Sequence, residues 1–170
     1  MLRLAGALLL AIGPAMIGFH AADRLRRRPR RLRELAAALE QMEREIAYRL
    51  TPLPELFSSL SQEYSGPVGE LFACCARDMD GLGQRSMAQI WRGALSGAAL
   101  DVEGRGLRAL EELGEVLGRY DGEAVRGALK RACAELSIAA DEAEREWERK
   151  GRMNQVLGLT AGALLVILLV

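Results

Sequence analysis

RRLRELAAALEQMEREIAYRLTPLPEL, residues 30–56, decides how this chain folds. Leu32, Leu35, Leu39, Met42, Ile46 and Leu50 recur at steps of three and four, which puts them on one stripe of a helix. Glu40 with Arg44, and Glu45 with Arg49, add favourable i,i+4 pairs on the wet face. Pro29, just upstream, suits a first helical turn, where its missing amide costs no hydrogen bond. Thr51-Pro52-Leu53-Pro54-Glu55 then ends this helix and starts another. Thr51 is expected to cap it, Pro52 to take the first helical position, and Pro54 to remain within the first turn.

The same period continues downstream. Leu56, Phe57, Leu60 and Tyr64 predict a short helix stopped by Ser65-Gly66-Pro67. Val68, Leu71, Phe72, Cys75 and Met79 make a third stripe, closed by a turn from Asp80 to Gly83. Ser86 and Gln89 form a capping box that opens a fourth helix, with Met87, Ile90, Trp91, Ala94, Leu95 and Ala98 inside. Asp101 is expected to cap a fifth helix that carries Leu107, Leu110, Leu113 and Leu117 and ends near Gly118. Asp121 caps the last. Its stripe of Val125, Leu129, Ala132, Cys133, Leu136, Ala139, Ala143 and Trp147 continues for about seven turns. No strand-like alternation intervenes, so the fold class is all-α: a cytoplasmic helical bundle flanked by an N-terminal and a C-terminal transmembrane helix. The first and last long helices should lie antiparallel and side by side.

Both ends of the chain are apolar. From Leu4 to Ala22 the only strongly polar side chain is His20, and this length of helix covers about 28 Å, close to one hydrocarbon core. Val156 to Val170 is uncharged and covers about 22 Å, so Met153 to Gln155 should sit at the interface or the bilayer should thin. The expected organisation is a membrane helix over 1–22, a helical bundle over 23–152 and a second membrane helix over 153–170. Arg24, Arg26, Arg27, Arg28, Arg30, Arg31 and Arg33 follow the first span, and Arg145, Arg149, Lys150 and Arg152 precede the second. The positive-inside rule therefore puts the bundle in the cytoplasm. A cleaved signal peptide fits less well, because Phe19 or His20 would occupy the −3 position, where a small residue is wanted. Gly158 and Gly162 form a GxxxG that suits close helix packing in the membrane. The first apolar helix is its obvious partner.

Chemistry is sparse in the middle of the chain. The 170 residues carry zero net charge, which argues against a general polyanion binder. Cys74, Cys75 and Cys133 are an odd set that suits free thiols in a reducing compartment, and one histidine excludes Cys/His metal spacing. Gly81-Leu82-Gly83 follows a helix and lacks Gly-Lys-Ser/Thr, so it reads as a turn and not a phosphate cradle. The acidic run from Asp141 to Glu148 is interleaved with Arg145 and reads as a solvated face. The Arg24 to Arg33 cluster reads as a topogenic signal and an anionic-lipid contact; no aromatic residue interleaves with it as a nucleic-acid site would want. Trp91 reads as core, and Trp147 fits an interfacial anchor or a bundle contact equally well. No catalytic residue, metal ligand or cofactor site is expected.

Several of these segments together resemble the stage III sporulation protein AB family. They are Arg28-Pro29-Arg30-Arg31-Leu32-Arg33-Glu34-Leu35, Ala38 to Ile46, Thr51-Pro52-Leu53-Pro54-Glu55-Leu56, Gly66-Pro67, Leu117-Gly118-Arg119-Tyr120-Asp121 and the Leu-rich end after Gly158. Gly93, Gly104, Gly106, Gly122 and Gly127 depart from the family pattern around the later helices. The resemblance implies a subunit of the channel that links mother cell and forespore, on the mother-cell side of the forespore membrane. It also implies a domain similar to the helical domain of type II secretion F proteins. Implied partners are a cytoplasmic sporulation ATPase, other channel membrane subunits and the lipid bilayer, with no nucleic acid; a second copy of the chain is also admitted. The candidate partner-binding surface is the exposed charge of the two long helices: Arg33, Arg44, Arg49, Glu142 and Glu146. The alternative is a membrane-anchored signalling adaptor with a helical cytoplasmic domain.

Overall fold

A computed structural model describes the backbone of residues 27–49, 51–119 and 121–169, and the side chains of these residues up to 149. The apolar stretches expected to span a membrane, 1–22 and 153–170, lie outside the residues whose side chains are described, as do His20, Arg24, Arg26 and Leu50. Among the described residues, no helix is long and apolar enough to cross a membrane. The chain divides into two compact units, Arg28–Ala140 and Met1–Arg27 with Asp141–Val170.

The regular elements among the described residues are all helical, with no β-strand. Helix α1 covers residues 27–44 and passes into a π-helical turn, Glu45–Arg49. There follow α2 (Leu53–Glu63), α3 (Gly66–Asp78), a 3₁₀ turn (Met79–Gly81), α4 (Met87–Gly97), α5 (Gly104–Leu117) and α6 (Gly122–Leu169). Gly104 and Gly122, two of the glycines that break the family pattern, thus begin helices.

Each end of these helices has a local cause. Ser86 accepts from the Gln89 amide and the Gln89 side chain accepts from the Ser86 amide, the reciprocal box expected for α4. Asp121 Oδ1 accepts from the amides of Glu123 and Ala124, so it caps α6. Two other caps differ from expectation. Thr51 does not cap α2: its hydroxyl donates to Glu45 Oε2 at 2.9 Å, and Pro52 is the N-cap residue with no side-chain bond. Leu53 is therefore the first helical residue and Pro54 the second. A proline disfavours the helical region for the residue before it, so α1 has to finish ahead of Thr51, and it does so by widening into the π turn. Asp101 does not cap α5 either. Glu103 holds that position, and Asp101 sits at φ +55° in the loop before it.

In the Arg28–Ala140 unit, α1 and α6 run antiparallel. Cys133 Sγ donates to the Ala36 carbonyl at 3.6 Å, and Arg126 donates to Glu43 at 3.2 Å. Seven residues forward on α1 thus match seven residues back on α6. Leu32, Leu35, Leu39 and Met42 are all buried, as are Leu129, Ala132 and Leu136 on the facing helix. Ile46, in the π turn, is only half-buried, because the wider turn rotates it off the stripe. Ala140 takes the buried position in place of the expected Ala139.

The other helices close around three rings. Phe57, Phe72 and Trp91, from α2, α3 and α4, lie with centroids 6.2–6.4 Å apart and are fully buried. Trp91 Nε1 donates to the Leu110 carbonyl of α5 at 2.7 Å. The indole reaches that carbonyl because Gly114 has no side chain: a Cβ there would sit 2.5 Å from Trp91 Cδ1. Gly69 plays the same part between α2 and α3, where a Cβ would collide with the Tyr64 carbonyl. Gly93, on the wet side of α4, has nothing within 4 Å.

Opposite outcomes follow for Gly114 and Gly93. Gly114→Ala should destabilise the fold by about 1–3 kcal/mol, since ring and helix have to separate. Gly93→Ala should stabilise it by about 0.5–1 kcal/mol through helix propensity alone. Urea unfolding followed by tryptophan fluorescence measures both; equal effects would remove the notch from the account.

Candidate functional site

The five charged residues expected to meet a partner are divided between the two units. Arg33 and Arg44 are exposed on α1, eleven residues and therefore about three turns apart on one face. Arg44 has no ion pair among the described residues. Arg49 lies in the π turn and donates to Glu45 at 3.1 Å, so the pair expected at that spacing forms. Beside it Tyr48 is 78% exposed. Glu142 is exposed and Glu146 half-buried on the part of α6 that belongs to the other unit. Gly158 and Gly162 fall on the backbone of α6 beyond residue 149, outside the described side chains. In that unit Ala143 is buried and Trp147 half-buried.

The arginine cluster at the start of α1 does more than its sequence suggests. Arg31 pairs with Asp101 at 2.7 Å and donates to the Ala99 carbonyl at 3.4 Å. Arg28 donates to the Asp101 carbonyl at 3.1 Å and reaches Glu103 at 3.5 Å. Two of the arginines read as lipid contacts therefore tie α1 to the loop between α4 and α5. Arg30 pairs with Glu34 one turn along α1. A second anchor lies further along, where Glu43 faces both Arg126 and Lys130. All of these pairs are partly exposed, and each is worth about 0–1 kcal/mol. Sequence spacing could not find the Arg31–Asp101 pair, since 70 residues separate its members.

Asp101 holds the left-handed conformation without being glycine. Aspartate tolerates that region better than most residues. Asp101→Asn should keep the backbone and lose only the ion pair, costing less than about 1 kcal/mol. Asp101→Val should cost about 1–2 kcal/mol more through strain. Parallel denaturation curves test this, and identical midpoints would show that the loop conformation is unimportant.

The thiols are free: Cys75 and Cys133 are buried and Cys74 half-buried. Burial first, then the neighbouring Cys74 and Asp78, pushes the Cys75 thiol up to about 12. Burial first, then Glu40 and Glu43, pushes Cys133 up to about 12 as well. Only about one thiol in 10⁴ is then ionised at pH 8, and the thiolate is the nucleophile. Neither suits covalent catalysis. Both favour the folded state while neutral. That stability is complete below the ordinary thiol value of 9.0 and is lost as pH climbs from there towards 12, because the unfolded chain releases its protons first. N-ethylmaleimide at pH 7.5, followed by mass spectrometry, should label Cys74 well before the other two; early labelling of Cys133 would contradict its burial between α1 and α6.

No group of three or more His, Cys, Asp or Glu side chains that could hold a metal occurs among the described residues. No polar or charged residue among them is fully buried. Two concavities among the described residues are open to solvent. One, of about 150 Å³, lies under the loop Ala98–Glu103, and another, of about 300 Å³, runs between α5 and α6. The fold and its surface thus define an all-α bundle with an apolar interior and its ionic chemistry on the outside.

The sequence model of the stage III sporulation protein AB family matches residues 3–170. The stage III sporulation protein AB of Bacillus subtilis (strain 168) is 31% identical over 171 residues, covering 99% of each chain. A solved structure of a stage III sporulation protein AB, 29% identical, superposes with a TM-score of 0.65 over 72% of this chain and 97% of that one. The chain belongs to the stage III sporulation protein AB family. That family is named for a stage of sporulation and not for a catalytic activity.

Proposed function

We propose that the chain is a non-enzymatic platform subunit of the sporulation channel between mother cell and forespore. Segments 1–22 and 153–170 anchor it in the membrane, and the bundle recruits a cytoplasmic secretion-type ATPase together with other channel subunits. The observation that carries this reading is the antiparallel pairing of α1 and α6. Carried back along both helices, the Glu43–Arg126 and Ala36–Cys133 register brings residue 29 opposite residue 140. The chain therefore enters and leaves the Arg28–Ala140 bundle side by side, which suits two apolar segments inserted into one bilayer. The basic residues that follow the first apolar stretch and precede the second support a cytoplasmic bundle. Membership in a sporulation family supplies the setting.

Recruitment then depends on charged surfaces and not on a pocket. Reversal of Arg33, Arg44 and Arg49 to Glu, with Glu142 and Glu146 to Lys, should abolish co-purification of the ATPase with membranes. Charges that are exposed or half-buried on a helix surface contribute little to stability, even when paired, so helical content should survive. Unchanged recruitment would remove this surface. A reporter inserted in the exposed turn at Leu82 should be found in the cytoplasm; a reporter on the far side would overturn the platform reading itself.

A further inference from the structure

The end of α1 holds a mismatch between its sequence and its backbone. Leu32, Leu35, Leu39 and Met42 are buried at helical spacing, and Ile46 is the next position of the same stripe. It is only half-buried, because Glu45–Arg49 form a π turn in which no residue is buried. Arg49 lies three residues beyond Ile46 and seven beyond Met42, so an α-helix would carry it onto the stripe as well. In the π turn its side chain is 76% exposed. Glu45 holds the wider turn. Its carboxylate accepts from Arg49 at 3.1 Å and from the Thr51 hydroxyl at 2.9 Å, and its carbonyl accepts from the Thr51 amide at 3.5 Å. Thr51 is kept out of the helix by the proline that follows it.

We propose that this turn is a two-state register switch that presents or withdraws Arg49. In the π register Glu45 clasps Thr51, and Arg49 stands in solvent. In the α register the clasp opens, Ile46 returns to the stripe, and Arg49 turns with it towards the bundle. The residue released from the turn passes into the connector before Pro52. A place for Ile46 exists: the Ala36–Cys133 and Glu43–Arg126 register brings residue 46 opposite residue 123, in the first turn of α6, where Val125 is buried. The two registers differ by terms of similar small size. One completes the burial of an isoleucine, and the other keeps hydrogen bonds to a partly exposed carboxylate. A π turn within an α-helix is an inserted residue, a form found frequently at functional sites. A partner that contacts Arg49 binds the π register and so shifts the population towards it. That consequence rests on the platform reading; the two registers themselves do not.

Hydrogen exchange of the full chain in phosphatidylcholine nanodiscs, read by mass spectrometry on the peptide covering residues 45–50, tests the switch with no partner present. Thr51→Val removes the hydroxyl that Glu45 holds and keeps the shape of the side chain. It should slow exchange in this peptide about tenfold, because the α register buries Ile46. A turn with a single conformation would fray on losing that bond and exchange faster. Adding Ile46→Ser removes the gain of the α register and should return exchange to the rate of the unaltered chain or above it. Thr51→Ser, which retains the hydroxyl, should exchange as the unaltered chain does. Faster or unchanged exchange in Thr51→Val overturns the proposal, and so does slowing that survives Ile46→Ser. Recruitment of the ATPase plays no part in this measurement, so the switch and the platform surface fail separately.

Discussion

The indole of Trp91 is the piece around which the short helices are arranged. It stacks with Phe57 and Phe72, fills the space between α2, α3 and α4, and turns its one polar atom onto the Leu110 carbonyl of α5. A buried indole N–H without an acceptor would cost about 1–3 kcal/mol, so the bond decides where α5 can lie. The bond in turn requires Gly114. Four helices are therefore placed by one ring, one carbonyl and one missing methyl group. The long helices need no such device, because α1 and α6 present facing leucine stripes.

The surface works by different rules. Around the core, ion pairs of small individual worth connect segments that are far apart in sequence: Arg31 to Asp101, Arg92 to Glu115, Arg126 to Glu43. They select the register of α1 on α6 and fix the α4–α5 loop against the start of α1. Asp101, in its left-handed conformation, turns the loop so that both its carboxylate and its carbonyl face arginines.

Helix periodicity made most of the architecture legible before any coordinates. The stripes of α1, α3, α4 and α6, the Ser86 box and the Asp121 cap are local features, and local features can be read from spacing. What escaped depended on partners remote in the chain. Thr51 looked like a cap because threonine before Pro-Leu-Pro usually is one, yet Glu45 on the preceding turn competed for its hydroxyl. Asp101 looked like a cap because of its place before a leucine stripe, yet Arg28 and Arg31 drew it away. Gly114 carries no signal of its own in the sequence; only the approach of Trp91 gives it a role. Of the candidate site, the spacing located charge on the long helices and the Glu45–Arg49 pair, but it could not tell that Arg44, equally spaced from Glu40, has no ion pair among the described residues.

A bundle built this way has consequences for how it can act. Its described interior holds no polar or charged residue, and two of its three thiols are kept neutral by burial. Such a core leaves ionic chemistry to the surface among the described residues. It can hold charged surfaces at fixed spacing, which is what recognition of a partner requires. Changes at the surface then alter binding with small effects on folding, whereas changes at Trp91 or Gly114 alter everything at once. Exposed arginines and glutamates can accordingly be replaced with little cost to the fold, whereas the rings and the notch that receives them leave no such room.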